Sequence, residues 1–132
     1  QWSQAMACFR FSLAKLLEAG RAVGVADCLE GMAKISTIQE QPTHAARLFG
    51  CAEGLRQRLG TPVPQIELVD YERWISATRQ QFDEARFDEL WAEGCTMTAQ
   101  EVATYAFELT VQFKDQSPWD VLATSITTDG RQ

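Results

Sequence analysis

The sequence is poor in the residues that build metal and nucleophile sites, because it has one histidine, His44, and four cysteines that lie far apart. A zinc site normally draws on closely spaced cysteine or histidine pairs, so we predict no metal site and no cofactor. Three of the cysteines, Cys8, Cys28 and Cys51, sit among apolar residues at helical spacing. We interpret them as small hydrophobic residues of a protein in a reducing compartment.

Long hydrophobic runs and an excess of positive charge are also missing. The sequence has no stretch of about 20 apolar residues and no basic segment leading into an apolar one, which favours a cytoplasmic protein without a membrane span. Eighteen acidic against twelve basic residues give a net charge of -6, which argues against direct binding to nucleic acid. Because the first residue is Gln1, we expect the chain to be a segment of a longer protein.

Catalytic signatures are absent from the sequence as well. His44 has no nucleophile signature around it, so we interpret it as a surface residue in the first turn of a helix. The acidic pairs Asp83-Glu84 and Asp88-Glu89 resemble part of a di-iron site, but such a site needs Glu-x-x-His pairs on two helices. Neither Gly20 nor Gly24 has the lysine and strand context of a phosphate-binding loop. We therefore predict a protein that is not an enzyme.

The sequence does have strong helical periodicity. Apolar residues recur at steps of three and four, and glycines, prolines and capping residues interrupt them. The predicted helices cover residues 3–19, 22–39, 44–59, from 65 or 67 to about 79, 84–93, and 98–115. The fourth helix has a predicted core side of Leu68, Tyr71, Ile75 and Thr78, continued by Phe82. We expect Gly94 to end the fifth helix and a Thr98-Ala-Gln-Glu101 capping box to begin the sixth.

The third predicted helix organises the rest, because it has two packing faces. One face is the apolar stripe Ala45, Leu48, Ala52, Leu55 and Leu59, and the other consists of small residues: Ala46, Gly50 and Gly54. A glycine inside a helix costs roughly 1 kcal/mol relative to alanine. Two glycines four residues apart therefore indicate close approach of a neighbouring helix backbone.

These elements predict an all-α fold of about six helices. Short connections between consecutive helices favour antiparallel helical hairpins stacked side by side. We assign residues 1–115 to one helical domain and residues 116–132 to a C-terminal tail that is loosely ordered, with docking of its Trp119 region as the alternative.

Several segments together resemble a known family. Residues 12–20, 25–33 and 45–53, the last reading Ala-Ala-Arg-Leu-Phe-Gly-Cys-Ala-Glu, look like the closing tetratricopeptide-like repeats of large bacterial ATPase-type (LuxR/AfsR-like) transcriptional regulators. Tyr71-Glu-Arg-Trp74, Arg79, residues 87–94, and Met97-Thr98 with Glu101 and Ala103 resemble the segment that ends such arrays. The resemblance implies a tetratricopeptide-like repeat array with a regulatory role, in which the repeats hold a protein partner or restrain the neighbouring ATPase.

Two functions are compatible with these observations. The first is a non-catalytic interaction module, for which we select Trp74, Trp91, Trp119 and Arg73 as candidate protein-binding residues. For Trp74 and Trp91 core or edge packing is the favoured interpretation, and a partner anchor is the alternative. The second is a small-ligand sensor with an enclosed apolar pocket. A homodimer through the N-terminal helix is possible if the apolar side of Trp2, Met6 and Phe9 is exposed. The arginines at 47, 56, 58, 73 and 79 are interpreted as a solvated face, with a basic patch as the alternative.

Overall fold

The structure, a computed structural model, describes the backbone of residues 2–111 and the side chains of residues 4–109. Over this range the chain forms six helices and no strand, which confirms the all-α prediction. The helices are α1 (Trp2–Glu18), α2 (Ala22–Ile38), α3 (Pro42–Leu59), α4 (Gln65–Arg79), α5 (Glu84–Thr96) and α6 (Ala99–Val111). The predicted tail, residues 116–132, lies outside the described residues.

Helix α3 lies at the centre of the fold and contacts α2, α4, α5 and α6. Its apolar stripe is buried at Ala45, Leu48 and Ala52, whereas Leu59 at its end is 41% exposed. The small-residue face meets the backbone of a neighbouring helix, as predicted, and that helix is α5. A Cβ on Gly50 would collide with the carbonyl oxygen of Trp91, and one on Gly54 would lie 2.5 Å from the carbonyl oxygen of Cys95. Because both contacts advance by four residues, α3 and α5 run parallel.

The predicted helix stop at Gly94 is wrong, because α5 continues through it to Thr96. A Cβ on Gly94 would collide with the carbonyl oxygen of Arg47 and lie 2.7 Å from the backbone nitrogen of Cys51. Gly94 is therefore the α5 counterpart of the glycines on α3. It allows the two helix backbones to touch.

Alternate helices of the central part of the chain run parallel to each other. Thr37 of α2 shares a 2.8 Å hydrogen bond with Thr78 of α4, and Lys34 lies 3.7 Å from the Asp70 carboxylate. Since both contacts advance in the same direction, α2 and α4 are parallel, as α3 and α5 are. Helix α6 departs from this order and packs against α1 and α3.

Most helix ends follow the sequence signals. Gly20 and Gly60 both adopt a φ of 68°, the left-handed conformation that ends a helix. The Asp83 side chain accepts from the backbone N–H of Arg86 at 3.0 Å. In the predicted capping box, the Thr98 N–H donates to Glu101 at 2.8 Å and the Glu101 N–H donates to Thr98 at 3.1 Å.

Helix α3 begins two residues earlier than predicted, at Pro42 rather than His44. Proline is favoured at the first helical position because the N–H that it lacks would have no partner there. His44 lies in the first turn as predicted, but it is half-buried rather than on the surface. Its Nδ1 lies 2.8 Å from the hydroxyl oxygen of Tyr105, which joins α3 to α6.

The interpretation of the arginines as a solvated face is wrong for Arg56, whose side chain is 4% exposed. Its Nε and Nη2 donate to both carboxylate oxygens of Glu30 at 2.8 and 3.0 Å, and Nη2 also donates to Asp27 at 2.6 Å. These charge-assisted bonds raise the pKa of Arg56. The ion pair fixes the end of α3 against the middle of α2.

The N-terminal helix buries the apolar side that we considered for dimerisation. Met6 and Leu13 are buried, and Phe9 packs over Gly31 of α2. The opposite side of α1 is open and exposes Phe11, and Cys8 on this side is exposed rather than buried. The side chain of Trp2 is outside the described residues.

The prediction of core residues is least accurate for helix α4. Of its predicted core side only Thr78 is fully buried, while Leu68 is exposed and Tyr71, Ile75 and Phe82 are half-buried. Further apolar residues, Ile66 and Val69, are 93% and 63% exposed. Helix α4 therefore covers α2 and α3 incompletely and leaves an open groove beside it.

Candidate interaction groove

The groove lies between α4 and α5 and has a volume of about 590 Å³. Helix α3 contributes its floor through Glu53. The walls come from both neighbouring helices: Tyr71, Glu72, Ile75, Ser76, Arg79, Phe87, Asp88 and Trp91. We call this set the α4–α5 groove.

Aromatic rings form the α5 wall of the groove. Phe87 is buried and Trp91 is half-buried, and their ring centres are 5.6 Å apart with an angle of 31° between the planes. The Arg79 guanidinium lies 4.2 Å from the centre of the Phe87 ring and 3.1 Å from Asp88. The attraction between the Arg79 guanidinium and the face of the Phe87 ring stabilises this packing, which holds Arg79 at one end of the groove.

Tyr71 divides the α4–α5 groove from a second depression of about 350 Å³. Its ring packs edge-on against Phe49 with centres 6.0 Å apart. Its hydroxyl oxygen is buried and has no hydrogen-bond partner among the described residues. Burial, together with the negative charges of Glu53 and Glu30, raises the pKa of Tyr71. The hydroxyl is thus a neutral donor in a partly apolar setting.

The charge of the groove is predominantly negative. Glu53, Glu72 and Asp88 contribute three carboxylates, and Arg79 is the single cation among the lining residues. Arg79 is already paired with Asp88. The remaining carboxylates favour an occupant that carries positive charge.

The sequence-selected binding residues are only partly brought together. Trp91 lines the groove. Trp74 does not, since it packs against α2 with the Lys34 ammonium 5.9 Å from its ring. Arg73 is exposed on α4 and does not line the groove, and Trp119 lies outside the described residues.

Sequence reasoning missed most of the groove, although a signal for it exists. Tyr71, Ile75 and Arg79 follow one another at steps of four on α4, and Phe87 and Trp91 do so on α5. Each row marks one helix face. The spacing could not show that these two helix faces lie on opposite sides of one groove beside α3.

Two further findings concern the described part of the chain. No group of three or more His, Cys, Asp or Glu side chains in it is arranged to hold a metal ion. None of its helices is long and apolar enough to cross a membrane.

Comparison with known proteins gives one line of similarity. Over 83 residues, 63% of the chain, it is 29% identical to proteins provisionally named HTH-type transcriptional regulators from Mycobacterium bovis and from two strains of Mycobacterium tuberculosis. The chain spans about 9% of the length of these relatives. No protein-family model matches it, and no solved structure matches it.

Proposed function

We propose that this chain is a non-catalytic interaction module of a larger bacterial transcriptional regulator and that the α4–α5 groove is its docking surface. In this proposal the module acts in the cytoplasm and holds a protein partner or a neighbouring domain of the parent protein. The observation that carries the proposal is an open groove with aromatic walls beside an incompletely covered helix. The similarity to transcriptional regulators over 63% of the chain supports the regulatory setting.

The groove has the composition of a protein-binding surface. Tryptophan, tyrosine and arginine are enriched among residues that dominate binding energy, and Tyr71, Arg79 and Trp91 all line it. Leu68 of α4, which is 38% exposed, lines the second depression on the other side of Tyr71. A groove of this kind can bind an amphipathic helix whose apolar face packs against the groove residues.

The charge of the groove specifies the partner further. Glu53 and Glu72 have no cationic side-chain partner among the described residues, so an apolar helix flanked by lysine or arginine would complement them. The partner we propose is therefore an amphipathic, basic helix. An acidic helix with the same apolar face would meet charge repulsion.

The test uses two helical peptides of about 14 residues that share leucines at helical spacing and carry either lysine or glutamate on the flanks. Binding to the 132-residue chain is followed by NMR, with the Trp91 indole N–H as the reporter. We expect the basic peptide to bind at least about tenfold more tightly than the acidic one.

Two variants place the binding in the groove. Ser76→Trp fills the groove from an exposed position and should abolish binding, and Glu72→Lys should weaken the basic peptide. Glu108→Lys makes the same charge change on an exposed site of α6 and should leave binding unaltered. Equal affinity for both peptides, or full binding by Ser76→Trp, would contradict the proposal.

A further inference from the structure

A third depression lies on another part of the molecule, where the end of α1, the start of α2, the end of α3 and the start of α6 meet. Its volume is about 140 Å³ and it opens to solvent. The wall is almost entirely aliphatic, with Leu16, Val25, Leu55, Val102 and Ala103 among its residues. Water in such a space would lack hydrogen-bond partners on most sides, so an apolar group is favoured over water there.

Two arginines stand among these aliphatic residues. Arg21 precedes α2 and Arg58 lies in the last turn of α3, and both line the cavity. Within the described residues neither guanidinium forms an ion pair with a carboxylate, and Arg58 makes one long contact of 3.4 Å to the carbonyl oxygen of Cys95. By contrast, Arg47, Arg56 and Arg79 all have carboxylate partners.

Glu101 and Asp27 make their hydrogen bonds to groups other than Arg21 and Arg58. Glu101, in the first turn of α6, is engaged by the backbone N–H of Thr98 in the capping box. Asp27, in α2, is engaged by Arg56. The N-terminus of α2 adds to the positive potential, since no side chain caps it and no acidic residue lies in its first turn.

We infer that this cavity binds a small monocarboxylate, with the apolar body among the aliphatic side chains and the carboxylate at Arg21 and Arg58. We choose a carboxylate as the head group because a planar guanidinium pairs with a carboxylate through two parallel hydrogen bonds. A cavity of about 150 Å³ accommodates a benzene-sized body, which limits the ligand to roughly six apolar heavy atoms. Benzoate and hexanoate have this size and charge. The inference is independent of the α4–α5 groove.

The ligand would also act on the fold. It would contact four helices at once, and α6 is one of them, so occupancy favours the arrangement in which α6 is packed against α1 and α3. Binding to the folded state alone raises its stability as the ligand concentration exceeds the dissociation constant. A small acid can thus strengthen the contact between the last described helix and the first.

The experiment titrates the 132-residue chain with benzoate, benzamide and benzylamine, which share the ring and differ in head-group charge. Backbone NMR shifts report the site, and thermal unfolding reports the stabilisation. We expect saturable shifts around Val25 and Val102, and a preference of about tenfold or more for benzoate over benzamide. Benzylamine should bind least well, because its ammonium meets two guanidiniums.

Variants separate the two parts of the site. Arg21→Gln and Arg58→Gln should reduce the preference for benzoate, whereas Arg86→Gln on α5 should leave it intact. Ala103→Leu fills the cavity and should abolish binding of all three compounds, with Ala99→Leu as a second filling variant if the first fails to fold. Equal affinities for benzoate and benzamide, or benzoate binding that survives both filling variants, would overturn the inference.

Discussion

Replacing Gly94 by alanine should destabilise the protein, although alanine is the better helix former. Residue 94 is buried within α5, where a Cβ would lie 2.7 Å from the backbone nitrogen of Cys51 and 3.0 Å from the carbonyl carbon of Gly50. These are backbone atoms of α3, so they cannot move aside as a side chain can. The methyl group therefore forces the two parallel helices apart.

The magnitude follows from two opposing effects. Alanine favours the helix by about 1 kcal/mol over glycine. Overfilling a packed interface costs about 1–3 kcal/mol, and contact with backbone atoms places Gly94→Ala at the upper end of that range. We expect a net loss of about 2 kcal/mol in the free energy of unfolding, or roughly 8 °C in melting temperature.

Gly24→Ala is the matched control. Its Cβ would lie 2.6 Å from Cδ2 of Leu16, which is the end of a flexible side chain. Leu16 lines the cavity of about 140 Å³ and can turn into that space. The helix preference of alanine then prevails, so stability should be unchanged or higher by up to about 1 kcal/mol. Urea unfolding followed by circular dichroism measures both variants, and equal stability of Gly94→Ala and the parent chain would refute close backbone contact between α3 and α5.

Four further predictions have defined outcomes. Arg56→Met should lower the free energy of unfolding in urea by about 3–5 kcal/mol by leaving Glu30 unpaired, and adding Glu30→Leu should restore most of it. Burial and the charge of Arg47 lower the pKa of His44, so stability should fall as the pH drops below 6.5, and His44→Gln should remove this component of a pH-resolved melting curve. Thr98→Ala should lower the free energy of unfolding by about 1 kcal/mol through loss of the cap, measured in the same way. Burial raises the pKa of Cys51 to about 12, so iodoacetamide labelling followed by mass spectrometry should find it unmodified in the folded chain at pH 8.

The parts of the fold that could be predicted are those encoded within one helix. The two faces of α3 are visible in the spacing of Leu48 and Ala52 against Gly50 and Gly54, because burial on both sides of a helix requires two apolar or small stripes. The capping box at Thr98 is also local, since its hydrogen bonds join residues three positions apart.

The errors arise where a distant partner decides the outcome. The burial of Arg56 depends on Glu30, which is 26 positions away. A guanidinium at the end of a helix is ordinarily solvated, and only the bidentate carboxylate makes burial tolerable. Gly94 has the position of a helix stop in the sequence, but the backbone of α3 beside it requires a glycine within the helix. Spacing within one helix contains no information about either neighbour.

The incompletely buried helix α4 and the position of the candidate groove have the same physical cause. A helical pattern identifies residues that prefer burial, but the neighbouring elements determine how much cover they receive. The contacts of α4 with α2 include polar ones through Thr37 and Lys34 beside the packing of Trp74, and they hold the helix without burying its full apolar face. Tyr71 and Ile75 are consequently left half-buried beside the aromatic wall of α5. In the proposed function, a partner would bury these apolar residues, which match a core pattern but remain accessible in the folded chain.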